Sequence, residues 1–151
     1  MIEVKNINKS FDGKPVLMDI NAKFETGKTN LIIGRSGSGK TVLIKSIIGL
    51  VRPETGEVLY DGRDLLKMTS DQVKTLRKEI GMLFQGSALF DSETVLGNVS
   101  FPLRMFTNMT NAEVRDRAQF CIERVNLKDS DHKFPSELSG GMQKRVAIAR
   151  A

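Results

Sequence analysis

The sequence predicts an α/β fold with an antiparallel β part at the N-terminus and an inserted helical part. Three observations carry this. A short apolar run at Leu31-Ile32-Ile33 is followed by a glycine-rich loop and then by helical spacing. Strand-like alternation fills the first 24 residues, and helical periodicity dominates from Glu93 to Val125.

Ile2, Val4 and Ile7 alternate loosely with polar residues, Asp12-Gly13 marks a turn, and Val16 to Phe24 resumes the pattern, which predicts a hairpin. Leu31-Ile32-Ile33 reads as a strand buried on both faces, as in a parallel sheet. In KTVLIKSIIGL, Leu43, Ile44, Ile47 and Ile48 share a helix face and Gly49 ends it. Pro53, Gly56 and Asp61-Gly62 bracket a strand at EVLY, Ser70 to Glu79 reads as a helix, and Ile80 to Phe84 as a further strand. The helical stretch after Glu93 is interrupted by Pro102 and by TNMTN, and Thr110 with Glu113 has the spacing of a capping box. Ser139 is placed to cap a last helix through MQKRVAIARA.

At 151 residues the chain is long enough to bury a core, and it reads as one domain. The formal net charge is +5, but basic residues interleave with acids in LRKE and AEVRDR, which favours a solvated surface; charge alone decides nothing, and no nucleic-acid partner is expected. Cys121 is alone, which excludes an internal disulfide, and it is expected in a helix as a core or half-buried residue. His132, also alone, is expected at the surface. No apolar run reaches membrane-spanning length, and MIEVKNINKSF carries no secretory h-region, so a cytosolic location is expected.

Residues 34 to 41, GRSGSGKT, match G-x-x-x-x-G-K-[ST] in full, between a strand-like and a helix-like segment. Gly37 and Gly39 let the backbone turn so that successive N–H groups of Gly34, Arg35, Ser36, Gly37, Ser38 and Gly39 face one anion, at the positive end of the following helix. Lys40 is placed to reach the β- and γ-phosphates, and the Thr41 hydroxyl to ligate Mg²⁺. The motif points to a nucleoside triphosphate without saying which. The competing reading is a glycine-rich turn that fits the pattern by chance.

A second motif, LSGGMQ at Leu138 to Gln143, followed by KRVAIARA, joins Gln85 in GMLFQG. With these, the whole chain resembles the ABC ATPases. The resemblance implies a P-loop NTPase of ABC type that binds ATP and Mg²⁺. Residues 1–151 would be one truncated ATP-binding domain with an incomplete core sheet, and roughly 86–137 its helical subdomain. It further implies that Ser139, Gly140 and Gly141 face the nucleotide of a second copy in a homodimer. Gln85 would contact the metal or the attacking water, and Lys40 and Gln85 would serve catalysis. Phe11 would stack on adenine with Val16 beside it. Each has a plainer reading: LSGG caps a helix, Gln85 ends a strand, and Phe11 belongs to the core.

FQGSALFDSETVLGNVSFPLR, PSELSGGM and Met142 resemble the Mla-type ATPases, which energise phospholipid movement between bacterial membranes and are linked to organic-solvent tolerance. That implies an integral-membrane permease docked near residues 86–104, where Leu89, Phe90, Val95, Val99 and Phe101 combine a local core with an apolar dock. The family pattern continues beyond the signature helix to an Asp-Glu pair and a histidine. Asp129, Asp131, Glu137 and His132 precede the signature and are not their equivalents. Residues 1–151 alone are therefore expected to bind ATP but hydrolyse it poorly. A soluble ABC ATPase acting on nucleic acid, or a non-catalytic nucleotide-binding module, are the competing functions. Long insertions typical of the former find no room between Gln85 and Ser139.

Overall fold

The computed structural model describes residues 1–151, which form two compact units, Met1–Ile80 and Gly81–Ala151.

In the first unit, β1 (Ile2–Phe11) and β2 (Lys14–Phe24) form a hairpin, and β3 (Thr55–Tyr60) and β4 (Arg63–Asp64) a second one. The four strands make one antiparallel sheet in the order β2-β1-β3-β4. Both hairpins turn on an Asp-Gly pair at positive φ, 50° and 73° at Asp12-Gly13 and 47° and 81° at Asp61-Gly62, the type I′ geometry that suits strand twist. Gly56 is required by space as well as by its φ of 102°, since a Cβ there would lie 2.5 Å from the Lys5 carbonyl oxygen. Helix α1 (Lys40–Ile47) ends at Gly49, whose φ is 72°. It packs Leu43 and Ile47 with Val4, Ile7, Val58 and Tyr60 of the sheet. Helix α2 (Ser70–Lys78) starts from a Thr69–Gln72 capping box that the sequence reading passed over.

Two expected strands are absent. Leu31-Ile32-Ile33 forms no ladder, and Leu31 and Ile33 are 79% and 84% exposed. Ile80 to Phe84 is likewise without strand pairing. Such runs become strands only when neighbours satisfy their backbone groups on both sides. No strand of this chain pairs with either run, so apolar composition alone does not make them strands.

The second unit is helical: α3 (Val95–Phe106), α4 (Asn111–Arg124) and α5 (Gly140–Arg150). Pro102 does not interrupt α3 as expected; it sits inside the helix, which ends at TNMTN. Proline removes one intrahelical hydrogen bond, and burial of Val95 and Val99 on the same helix offsets that loss. Thr110 and Glu113 form the expected capping box. The core joins Val95, Val99, Ala118, Ile122, Leu127, Leu138 and Val146, with Cys121 half-buried against it.

Candidate functional site: a glycine-rich loop and a second helix N-terminus

The loop before α1 makes a turn in which the Ser38 N–H donates to the Arg35 carbonyl at 3.2 Å. Ser36 and Gly37 are its central residues, and Gly37 has a φ of 77°. Gly39 sits at the N-cap of α1 with a φ of 88° and brings no side chain to cap it. The N–H groups of the first helical turn are thus left free of side-chain acceptors, an electropositive arrangement. A Cβ at Gly39 would lie 2.9 Å from the Val16 carbonyl oxygen and 3.0 Å from Leu17 Cδ2, and one at Gly34 2.6 Å from Ser38 Oγ. Glycine therefore lets this loop lie against the start of β2.

Lys40 is half-buried, and its Nζ donates to the carbonyls of Gly34 and Arg35, both at 2.7 Å. The amine spans the loop from the helix side. Val16, Gly37, Ser38, Gly39, Lys40 and Thr41, together with Val42, line a concavity of about 170 Å³. That volume is small for a whole nucleotide, and its lining residues include Lys40, Ser38 and Thr41 at the uncapped start of α1. Val16 is one of its lining residues. Phe11 is 45% exposed at the end of β1, with Lys9 Nζ 5.2 Å from its ring centroid, so it is not a core residue. It offers a solvent-facing aromatic surface on the same unit.

In the second unit, Gln85 is exposed in a turn closed by the Ser87 N–H donating to the Phe84 carbonyl at 3.1 Å. Ser87 and Ala88 follow with φ of 61° and 48°, unusual for residues with a Cβ. Their carbonyls accept from Arg150, Nη2 to Ser87 at 3.0 Å and Nη1 to Ala88 at 2.7 Å. Burial lowers the Arg150 pKa from its ordinary value. Further along, fully buried Asn98 accepts from the Phe90 N–H at 2.8 Å and donates toward the carbonyls of Phe90, Glu93 and Thr94. Leu89 is half-buried against the core, whereas the Phe90 and Phe101 rings pack 4.7 Å apart and stay about 40% exposed.

Ser139 caps α5, its Oγ accepting from the Met142 N–H at 3.3 Å. Gly140 and Gly141 are exposed, and a Cβ on either would meet nothing within 4 Å. The helix end is open to solvent. Gln143 Nε2 holds the approach to it through the Pro135 carbonyl at 2.9 Å, and Met142 packs on the core. No helix is long and apolar enough to cross a membrane.

These features meet an independent comparison: the model of the family described as ABC transporter matches residues 17–151. The chain belongs to the ABC transporter family. The fold agrees, since a dimeric ATP-binding cassette in a post-hydrolysis state bound to ADP and Pi superposes with a TM-score of 0.90 at 34% identity, covering 99% of this chain and 68% of that one. Among relatives, the probable ribonucleotide transport ATP-binding protein mkl of Mycobacterium leprae is 41% identical over 150 residues, 99% of this chain and 43% of that protein. The intermembrane phospholipid transport system ATP-binding protein MlaF of Haemophilus influenzae is 40% identical over 151 residues, all of this chain and 57% of that protein. The chain thus spans about half the length of the curated relatives it matches. Relatives of equal similarity carry different cargo names, so family membership alone does not single out phospholipid.

Sequence reading missed Asn98 and Arg150. A signal existed for the first, a lone amide inside the apolar run VLGNVSF. For Arg150 no local pattern gives a signal, and only the fold reveals that its guanidinium serves another segment.

Proposed function

We propose that this chain is the ATP-binding portion of an ATPase subunit that powers a membrane transporter. The observation that carries the proposal is the concavity at the start of α1, with Gly37 and Gly39 at positive φ, an uncapped helix N-terminus and Lys40 reaching across the loop. Residues 34–41 bind the triphosphate through backbone N–H groups, and Lys40 swings from the Gly34 and Arg35 carbonyls to the β- and γ-phosphates. Thr41 and Gln85 would hold Mg²⁺, which would supply positive charge to neutralise the phosphates. Lys40 and Gln85 are the catalytic groups within these residues. Phe11 supplies an aromatic face for adenine with Val16 at its edge.

The working unit is a homodimer in which Ser139, Gly140 and Gly141 of one copy face the phosphates held by the other. Its support is the open N-terminus of α5 and the likeness to a dimeric cassette. The segment near residues 86–104, with the exposed Phe90 and Phe101 rings, is the dock for a membrane permease, which holds the protein at the inner face of the cytoplasmic membrane. Residues roughly 86–137 act as a helical subdomain. Nucleic acid is not a partner. Among cargoes we favour phospholipid, on the resemblance of FQGSALFDSETVLGNVSFPLR and PSELSGGM to Mla-type ATPases and on the similarity to MlaF.

The test is nucleotide binding and turnover by the full-length protein, alone and with its permease in proteoliposomes. Saturable Mg-ATP binding that Lys40→Ala weakens at least tenfold, about the value of one charge-assisted contact, supports the site. Binding unaffected by that change would refute it. Stimulation of turnover by phospholipid but not by ribonucleotide or methionine distinguishes the cargo.

A further inference from the structure

We propose that Arg150 is a positioning residue for Gln85, tying the turn that carries Gln85 to the far end of the helix that starts at Ser139. The inference rests on the ATPase reading, and it assigns a mechanical link between two parts of that site. Gln85 and Gly86 are the central residues of the Phe84–Ser87 turn, and Ser87 and Ala88 follow in the left-handed region. Side chains rarely adopt that conformation, so it persists where surrounding contacts hold it. The holding contact is the Arg150 fork, one nitrogen on each of these two carbonyls.

The guanidinium has other potential acceptors at its own helix C-terminus, yet it leaves them for the loop. Its Cζ also lies 5.9 Å from the Phe90 ring centroid, on the loop beyond the turn. Asn98 secures that same stretch from α3 through the Phe90 N–H and carbonyl. The loop is therefore pinned at two points, to α5 near Gln85 and to α3 near Phe90. Helix α5 spans 11 residues, about 16 Å, and acts as a rod over that length. A tilt imposed at Ser139–Gly141 is then passed to the Gln85 turn by the fork. Lysine, a point charge, can grip one carbonyl but not both.

In the full-length protein, Arg150→Ala should lower kcat about tenfold while the KM for ATP stays within about twofold. Arg150→Lys should be intermediate, and millimolar guanidinium should restore part of the Arg150→Ala rate. Amides from Gln85 to Phe90 should exchange faster in Arg150→Ala, while those of α4 are unchanged. Wild-type kcat in Arg150→Ala, or loss of rate without guanidinium rescue and with exchange raised throughout α3 to α5, overturns the proposal by making Arg150 dispensable or merely structural. If the wild-type protein shows no turnover, the ATPase reading fails by itself. Exchange at Gln85–Phe90 then still decides the link, with unaltered exchange in Arg150→Ala rejecting it.

Discussion

The Tyr60 hydroxyl donates a 2.8 Å hydrogen bond to the Ile47 carbonyl, joining the end of β3 to the last turn of the helix that begins at Lys40. Helix C-terminal carbonyls lack intrahelical partners, and this one is satisfied by a buried phenol. Tyr60→Phe should cost about 1 kcal/mol, the usual net value of such a bond, read from denaturant unfolding of the full-length protein. Burial also pushes the Tyr60 pKa up to about 12 from 10.0. The neutral phenol is favoured in the fold, so stability is full below pH 10 and falls as pH rises from about 10 to about 12. Tyr60→Phe should remove that part of the alkaline decline. An identical decline in both proteins would exclude Tyr60 as its source.

Gly39 tests the loop from the backbone side. Gly39→Ala places a Cβ 2.9 Å from the Val16 carbonyl oxygen at a φ of 88°. A strained left-handed residue costs about 1–3 kcal/mol, and the clash bears on the strand that the loop touches. Nucleotide binding should weaken at least tenfold with a lowered Tm. Gly140→Ala, where a Cβ meets nothing, should leave Tm within about a degree.

Asn98 should matter through what it leaves unpaired. Asn98→Leu fills a similar volume but strips the Phe90 N–H of its acceptor and removes a donor from three carbonyls. The Phe90 and Thr94 carbonyls keep the Glu93 and Asn98 backbone N–H groups as donors, so the Phe90 N–H and the Glu93 carbonyl are the groups left unpaired. Unsatisfied buried groups cost about 1–3 kcal/mol each, so a total loss of about 2–6 kcal/mol is expected. Chemical denaturation of the full-length protein measures it, and a loss below about 1 kcal/mol would mean water replaces the amide.

What could be read beforehand follows from how local each determinant is. The Asp12-Gly13 turn, the Thr110–Glu113 box, the Ser139 cap and the Gly49 stop depend on residues within a few positions, and each forms where the pattern indicates. Leu31-Ile32-Ile33 was legible as apolar but not as a strand, because a ladder is a property of two segments and no strand of this chain pairs with it. Pro102 misled because a helix with Val95 and Val99 buried tolerates one missing bond. The glycine-rich loop before α1 was legible as a turn because its determinants are contiguous, Gly37 and Gly39 lying within eight residues that also carry Lys40 and Thr41. The Arg150 fork joins residues 62 and 63 positions apart, so no spacing rule exposes it.

The proposed homodimer makes a prediction that separates action in trans from action in cis. In the proposed two-fold sandwich each nucleotide would be held by Lys40 of one copy and faced by Ser139 of the other. Lys40→Ala and Ser139→Arg should each abolish turnover of the full-length protein, the second by setting a bulky cation at an N-terminus that is now open. In a mixed dimer, one site then carries both changes and the other carries neither. Equal mixing, with half of the dimers mixed and one sound site in each, should recover about a quarter of the wild-type rate if the sites act independently. Were Ser139 to serve the nucleotide of its own chain, every site in the mixed dimer would carry one defect and no rate would return. Recovery on mixing therefore decides the geometry without requiring a structure of the dimer.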